Sequence, residues 1–340
     1  MPSAKPVVIL DPAPQSRDRI FDPATIERLR RDFDVIDLEA QPDEGLFERH
    51  LPDAFAIVGQ PNLGTEALER AQKLRAVINV EGNFFANIDY TTAHQRGVRV
   101  LGCGPAYAQA VAEYALGLAL DLARGISRED RRARRGVERY VSASTQDSVL
   151  LRRSNIALVG YGNLGRSLHR LLMPFHATIR VHDPWLPTSV LEEEGLIPAT
   201  LEEALRTSTF VFVLATATSE SRHLLDAQRL AILPQAARLI LLSRAAVVDY
   251  DALYNQLAEG RILAAIDVWP EEPLAADSPF RKLDNAILSA HRAGGIPEAF
   301  LSIGEMVYDD LRLMARGLPP QRMQVAAPEL VGRYRNQPVT

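Results

Sequence analysis

The stretch NIALVGYGNLGRSLHRLLMPFHATIRVHDP constrains the fold more than any other part of the chain. An apolar run, Asn155–Val159, leads directly into Gly160, Gly162 and Gly165, the pattern G-x-G-x-x-G. A helical pattern follows, then a second strand-like run at Thr178–His182 that ends in Asp183. A glycine triplet alone says little. Between a strand and a helix, with an acid closing the next strand, it specifies a strand–helix–strand unit and hence a parallel sheet. The three glycines serve different ends. Gly160 permits the tight turn, Gly162 lets a pyrophosphate approach the backbone, and Gly165 lets the helix pack on the strand. The amides of Asn163 and Leu164 then open a helix, where unpaired N–H groups and the helix dipole favour anionic oxygens. Asp183, 18 residues beyond Gly165, can accept hydrogen bonds from both adenosine ribose hydroxyls. Its carboxylate would repel a 2′-phosphate, so the pattern points to NAD over NADP.

The same alternation runs through the rest of the chain. Strands are expected at Val7–Leu10, Val35–Leu38, Phe55–Val58, Val77–Val80 and Val98–Leu101, with helices at Pro23–Asp32 and Leu63–Leu74 among the connections. A second set follows at Phe210–Leu214, Leu239–Leu242, Ala264–Asp267 and Ala286–Ser289. Two long helices are expected, one over Tyr107–Arg124, small and apolar nearly all round, and one over Pro297–Arg316. Between the first of these and the glycine motif lies an arginine-rich segment, 124–139, whose interleaved Glu129, Asp130 and Glu138 read as a solvated helix surface. The last ten residues look frayed.

At 340 residues the chain suits two domains. A net charge of −5 gives no general attraction for nucleic acid or an anionic membrane, and neither is expected as a partner. The single cysteine, Cys103, excludes an internal disulfide framework and a cysteine-rich zinc site, and no metal is expected. The apolar run at Val7–Leu10 is too short for a signal peptide, and no stretch is long enough to span a bilayer, so a cytoplasmic location is expected.

Three more segments place polar groups just after expected strands: LILLSRAAVVDYDAL, AAIDVWPEEPL and ILSAHRAGG. In an open parallel sheet, residues beyond the carboxyl ends of the strands converge on one crevice. This brings Arg244, Asp267, Glu272 and His291 towards the nicotinamide end of a bound dinucleotide. Reducing a keto acid needs a clamp for its oxygens, a proton donor and a hydride source. A guanidinium offers a planar fork, a histidine can exchange the hydroxyl proton, and a carboxylate can orient the imidazole.

With these segments in place, the chain resembles the D-isomer-specific 2-hydroxyacid dehydrogenase family over nearly its full length. The resemblance rests on VGYGNLGRSL, VHDP, SRAAVVDYDAL, AAIDVWPEEPL and His291 followed by Ala293-Gly294-Gly295, with ANIDYTTAHQRGVRV and AVAEYALGLAL upstream. It implies an α/β architecture of two doubly wound parallel sheets. A Rossmann nucleotide domain, 105–295, would be inserted into a flavodoxin-like substrate domain, 1–104 with 296–340, the long helices serving as crossovers. It places the arginine clamp on Arg244, the histidine-orienting glutamate on Glu272 and the acid/base on His291. Asp267 would hold the nicotinamide carboxamide and Asp183 the ribose, with Thr216 and Ser243 also along the cofactor. Asn83 and Phe84 fill the positions whose amides would bind the substrate carboxylate. The expected reaction is hydride transfer between NAD(H) and C2 of a small 2-hydroxy or 2-keto acid. Family members are commonly homodimers through the nucleotide domain, and segment 124–139 would contribute to that contact.

Several positions depart from the family pattern. GNFFANID has Phe84 where a second glycine is usual, which would alter the pocket shape, and Ala245 follows the arginine where glycine is usual. Thr216-Ala217-Thr218 replaces a Pro-Leu-Thr, and a Gly-x-Trp before the glycine motif is missing. None removes a chemical group. Formate and phosphite dehydrogenases share the architecture, but the former resemble it with glutamine at the place of Glu272. The other alternative is an NAD-sensing regulatory protein on the same scaffold.

Overall fold

The computed structural model of the protein describes residues 4–41, 43, 45–141, 145–218 and 220–331. The chain divides into two compact units, one of Met1–Tyr107 with Gly295–Pro338 and the other of Ala108–Gly294.

The first unit is built on a six-stranded sheet. Its strands are β1 (Val7–Asp11), β2 (Asp34–Asp37), β3 (Ala54–Gly59), β4 (Ala76–Asn79) and β5 (Arg99–Gly102), ordered β2-β1-β3-β4-β5 and all parallel. That is the flavodoxin-like order. The central strands are apolar at successive positions because both faces are covered. Val8, Leu10, Ala56, Val58 and Ile78 face one core; Ile9, Ile57, Val77 and Val100 face the other. Cys103 is buried in the first of these cores.

The helix Pro297–Ala315 packs on that first core through Phe300, Ile303, Val307 and Leu311. It approaches so closely at Gly304 that a β-carbon there would overlap the carbonyl of Ile20 and the ring of Phe21. The helix carries a fully buried carboxylate, Asp310, which accepts hydrogen bonds from the backbone amides of Gln321, Arg322 and Met323 at 2.8–3.1 Å. These bonds turn the chain into a short edge strand, Gln324–Val325, antiparallel to β5. The sheet is parallel as expected, with this one antiparallel addition at its edge. A strand of two residues is too short to give a legible period. The stretch expected to fray, 331–340, falls outside the described residues except for Val331.

The second unit carries a seven-stranded sheet. Its strands are β6 (Asn155–Val159), β7 (Thr178–His182), β8 (Ile197–Pro198), β9 (Phe210–Val213), β10 (Arg238–Leu241), β11 (Leu263–Ile266) and β12 (Ala286–Leu288). The order β8-β7-β6-β9-β10-β11-β12 is parallel throughout and reverses direction between β6 and β9, as in a Rossmann sheet. A continuous core of Val211, Val213, Leu239, Leu241, Ala264 and Ile266 is sealed on one side by Leu253, Leu257 and Phe280.

The long helix Gly104–Arg124 is buried on a stripe, not all round. Ala108, Val111, Ala112, Ala115, Leu118, Ala119 and Leu122 recur at steps of three and four, while Gln109, Glu113 and Gly117 expose the opposite face. The helix Ile126–Arg134 after it buries no residue. Its arginines pair locally, Arg132 with Glu129 and Arg134 with Asp130, and Arg128 reaches Asp147 at 2.5 Å.

Candidate active site

The glycine motif lies where the second sheet reverses. Gly160 follows β6 with φ +96°, and a β-carbon on it would stand 2.8 Å from the backbone of Ala215, just past β9. The two strand ends can therefore meet only through glycine. Gly165 is held for a related reason: a β-carbon there would lie 2.9 Å from the Gly160 carbonyl. Gly162 differs. It caps the helix Asn163–Leu172 without a side-chain hydrogen bond, and a β-carbon on it would meet no protein atom within 4 Å. The protein does not require glycine there, and the helix begins beside that open space. This is the position to which the glycine pattern assigns a pyrophosphate.

Asp183, directly after β7, is half-buried and anchored at both oxygens. Oδ2 accepts from the Tyr161 amide at 2.7 Å and Oδ1 from the Trp185 amide at 3.0 Å. It ties the glycine turn to the end of β7. Tyr161 reinforces the turn from below. Its ring is buried, its hydroxyl donates to Glu194 Oε2, and His169 Nδ1 stands 2.7 Å from the same hydroxyl oxygen. Burial and the neighbouring Glu194 carboxylate push the Tyr161 hydroxyl far above the usual tyrosine range, so it stays protonated as a donor. Tyr161, His169 and Glu194 have no motif that marks them; only the fold brings them together.

At the other end of the crevice, the loop after β12 carries His291. A 2.8 Å hydrogen bond joins His291 Nδ1 to Glu272 Oε2, and Glu272 Oε1 accepts from the Trp269 amide at 3.0 Å. An ionised carboxylate only accepts, so the proton of this bond sits on Nδ1, which leaves Nε2 for a reacting hydroxyl or carbonyl. Both side chains are substantially exposed, 45% for His291 and 38% for Glu272, and so are open to a ligand. Asp267 lies directly after β11. It is fully buried, and its oxygens accept from the amides of Arg292 at 2.9 Å and Ala293 at 3.0 Å.

Arg244, in extended conformation after β10, is half-buried, and its guanidinium donates to the carbonyl of Ser243 at 2.8 Å. The hydroxyl of Ser243 is buried without a hydrogen-bond partner. Ala245 enters a short 3-10 turn, and its φ is not positive, so alanine carries no strain where the family pattern has glycine. Thr216, after β9, is exposed, and its carbonyl accepts from Ser221 Oγ at 2.7 Å. Thr218 and Ser221 bond each other beneath it.

In the first unit, Asn83 and Phe84 sit in the loop after β4. The Phe84 ring is buried in the core and lies over Gly102, where a β-carbon would stand 3.2 Å from it. The bulk expected to reshape a substrate pocket is thus absorbed by the core, with Gly102 making room. Asn83 and Phe85 remain half-buried, and the Phe85 carbonyl accepts from Tyr90.

Residues 116–293 match the model of the D-isomer-specific 2-hydroxyacid dehydrogenase NAD-binding domain. A glyoxylate reductase of Korarchaeum cryptofilum is 30% identical over 289 residues, which are 83% of this chain and 86% of that protein. A D-3-phosphoglycerate dehydrogenase of Methanocaldococcus jannaschii is 28% identical over 78% of this chain, but the match spans only 50% of that longer protein. Among solved structures, a phosphoglycerate oxidoreductase from Rhizobium etli superposes with a TM-score of 0.87 at 43% identity, covering 95% of this chain and 99% of that one. The glycine cradle, the acid after β7 and these matches agree on NAD(H) as the cofactor. The chain belongs to the D-isomer-specific 2-hydroxyacid dehydrogenases, a family of NAD-dependent oxidoreductases.

Proposed function

We propose that the protein catalyses reversible reduction of a small 2-keto acid to the D-2-hydroxy acid. The observation that carries this reading is the His291–Glu272 pair, fixed through Nδ1 with Nε2 left open. NAD(H), when bound, supplies or accepts the hydride at C2. His291 Nε2 gives the proton to the carbonyl oxygen during reduction and takes it back during oxidation. Glu272 holds the ring in that tautomer and offsets the positive charge on the imidazole. Arg244 clamps the substrate oxygens, and the amides around Asn83 and Phe84 bind its carboxylate. Gly160, Gly162, Asn163, Leu164, Gly165 and Asp183 hold the dinucleotide, with Thr216 and Ser243 along its length. The first unit is the substrate domain and the second the nucleotide domain.

A carboxylate at Glu272, not an amide, favours acid/base chemistry on a hydroxyl over a bare hydride abstraction from formate. The side chains Ile126, Val137, Tyr140, Val141 and Leu150, in and after the arginine-rich helix along the chain, are exposed and apolar, and we assign that segment to a homodimer contact. Sedimentation of the free chain tests that assignment.

The deciding experiment follows loss of NADH absorbance with glyoxylate, hydroxypyruvate, phosphohydroxypyruvate, pyruvate and phenylpyruvate, with NADPH in parallel. Turnover of at least one acid, abolished in His291→Asn with NADH affinity retained, is expected. NADH binding without turnover across the panel would overturn the reading in favour of a dinucleotide sensor.

A further inference from the structure

Resting on that reading, we propose that Tyr90 is a positioning residue for the substrate carboxylate, its hydroxyl holding the loop after β4 with backbone amides turned outward. The loop leaves β4 at Asn79 and returns at the helix Tyr90–Gln95. Its outgoing limb is fixed where the Cys103 amide donates to the Glu81 carbonyl at 3.0 Å. Its returning limb is fixed to the chain after β3. There the Leu63 amide donates to the Asn87 carbonyl at 2.7 Å and the Asp89 amide to the Leu63 carbonyl at 2.9 Å. Asn87 Nδ2 adds a bond to the Pro61 carbonyl at 3.0 Å. Between these anchors lies the tip, 82–86, with Asn83 and Phe84 in it. The Tyr90 hydroxyl reaches back to this tip and donates to the Phe85 carbonyl at 2.7 Å.

A trans peptide points its carbonyl and the next N–H in opposite directions, and the peptides of this loop are trans. Drawing the Phe85 carbonyl to Tyr90 therefore turns the Ala86 amide away from that ring. The Glu81 carbonyl, drawn to the buried Cys103, turns the Gly82 amide away from the core in the same manner. The Gly82 carbonyl faces Gly104, where a β-carbon would stand 3.3 Å from it, so the Asn83 amide points the other way. Among the described residues, the amides of Gly82, Asn83 and Ala86 donate to no protein acceptor. Several outward amides on one tight loop make an anion-binding concavity. Tyr90 is well held for this task. Its ring packs on the second core of the sheet, and Asp89 fixes the first turn of its helix by accepting from Thr65 Oγ1, Thr92 Oγ1 and the Thr92 amide. Burial pushes the Tyr90 hydroxyl above the usual tyrosine range, so it stays protonated as a donor.

Tyr90→Phe tests this in the full-length chain. It removes the hydroxyl and keeps the ring that packs on the core, so the fold is retained. With whichever 2-keto acid the protein reduces, KM is expected to rise about three- to tenfold, the range spanned by one hydrogen bond between neutral groups. The inhibition constant of oxalate should rise by the same factor, while kcat, Kd for NADH and the melting temperature stay unchanged. An unchanged KM and oxalate constant overturn the proposal, as does a fall in kcat alone. A lower melting temperature with KM unchanged also overturns it, since Tyr90 is then a structural residue only. Should the unaltered protein reduce no 2-keto acid, the dehydrogenase reading fails, and oxalate binding to the NADH-loaded protein, followed by nicotinamide fluorescence, still decides the role of Tyr90. Weaker oxalate binding in Tyr90→Phe supports the braced loop; equal binding, or none to either protein, refutes it.

Discussion

Two glycines of one motif should respond to the same substitution in opposite ways. At Gly162 a β-carbon meets no protein atom within 4 Å, and φ is −79°, where alanine is at ease. Replacing glycine by alanine restricts the unfolded chain, worth about 0.4–1 kcal/mol of stability. Glycine is also the better helix cap, which costs back about 0.5–1 kcal/mol. The two nearly cancel, so Gly162→Ala should move the melting temperature by less than about 3 °C. The new methyl nevertheless stands where the pyrophosphate approaches the helix amides, and NADH affinity should fall at least about tenfold, or 1.4 kcal/mol. At Gly160 the positive φ and the 2.8 Å approach to Ala215 fall on the protein itself. Strain and forced displacement there should cost about 2–4 kcal/mol before any cofactor is added. Thermal melts of the two variants, each paired with an NADH fluorescence titration, separate the roles. If Gly162→Ala binds NADH normally, or melts below Gly160→Ala, the open space beside the helix is not the phosphate site and the reasoning fails.

Asp183→Ala should weaken NADH binding and relax the preference for NAD over NADP, because it removes both a negative charge and the anchor for the Tyr161 and Trp185 amides; an unchanged NAD/NADP ratio in parallel assays counts against the assignment. Asp310→Ala strands the amides of Gln321, Arg322 and the buried Met323 and should cost about 2–4 kcal/mol, read as a lower urea midpoint and faster exchange at residues 321–323. Asp89 caps the helix Tyr90–Gln95 and accepts from Thr65, Thr92 and the Thr92 amide, which lowers its pKa to about 2. Its unfolded value is about 3.9, so its stabilisation is complete above about pH 4 and is lost as pH falls towards 2. Urea midpoints of Asp89→Asn should therefore fall less steeply than those of the unaltered protein across that interval, and parallel curves would refute the shift.

The sheets were legible in the sequence because parallel strands are buried on both faces and read as short apolar runs between helices. Asn155–Val159 and Thr178–His182 lie where the apolar runs place them. Legibility failed where burial does not set the pattern. The edge strand Gln324–Val325 exists because Asp310 gathers three amides from a segment well beyond its own helix, and no local period announces it. The helix Gly104–Arg124 read as buried all round because small residues look apolar on every side; its exposed face is marked only by Gln109, Glu113 and Gly117 at steps of four. Phe84 read as an obstruction in a binding loop because the sequence cannot show that Gly102, on the neighbouring strand, leaves space beneath the ring.

The site divides along the same line. The residues proposed to meet a ligand, such as Gly162, Arg244 and His291, stand shortly after strands, so strand periodicity alone locates them. Residues that aim them do so through backbone amides, and side-chain identity predicts nothing about which amide will be near. Asp267 and Asp183 show this together. Each is an acid one residue beyond a strand, and each looked like a ligand for the cofactor. Asp183 is half-buried while anchoring two amides, whereas Asp267, which also accepts one amide on each oxygen, is fully buried. Equal positions in the sheet thus give one bracing acid that keeps access to solvent and another that does not. What separates them is burial, decided by the chain that folds over the strand end: the short turn Pro184–Trp185 leaves Asp183 open, while the segment 289–293 closes over Asp267.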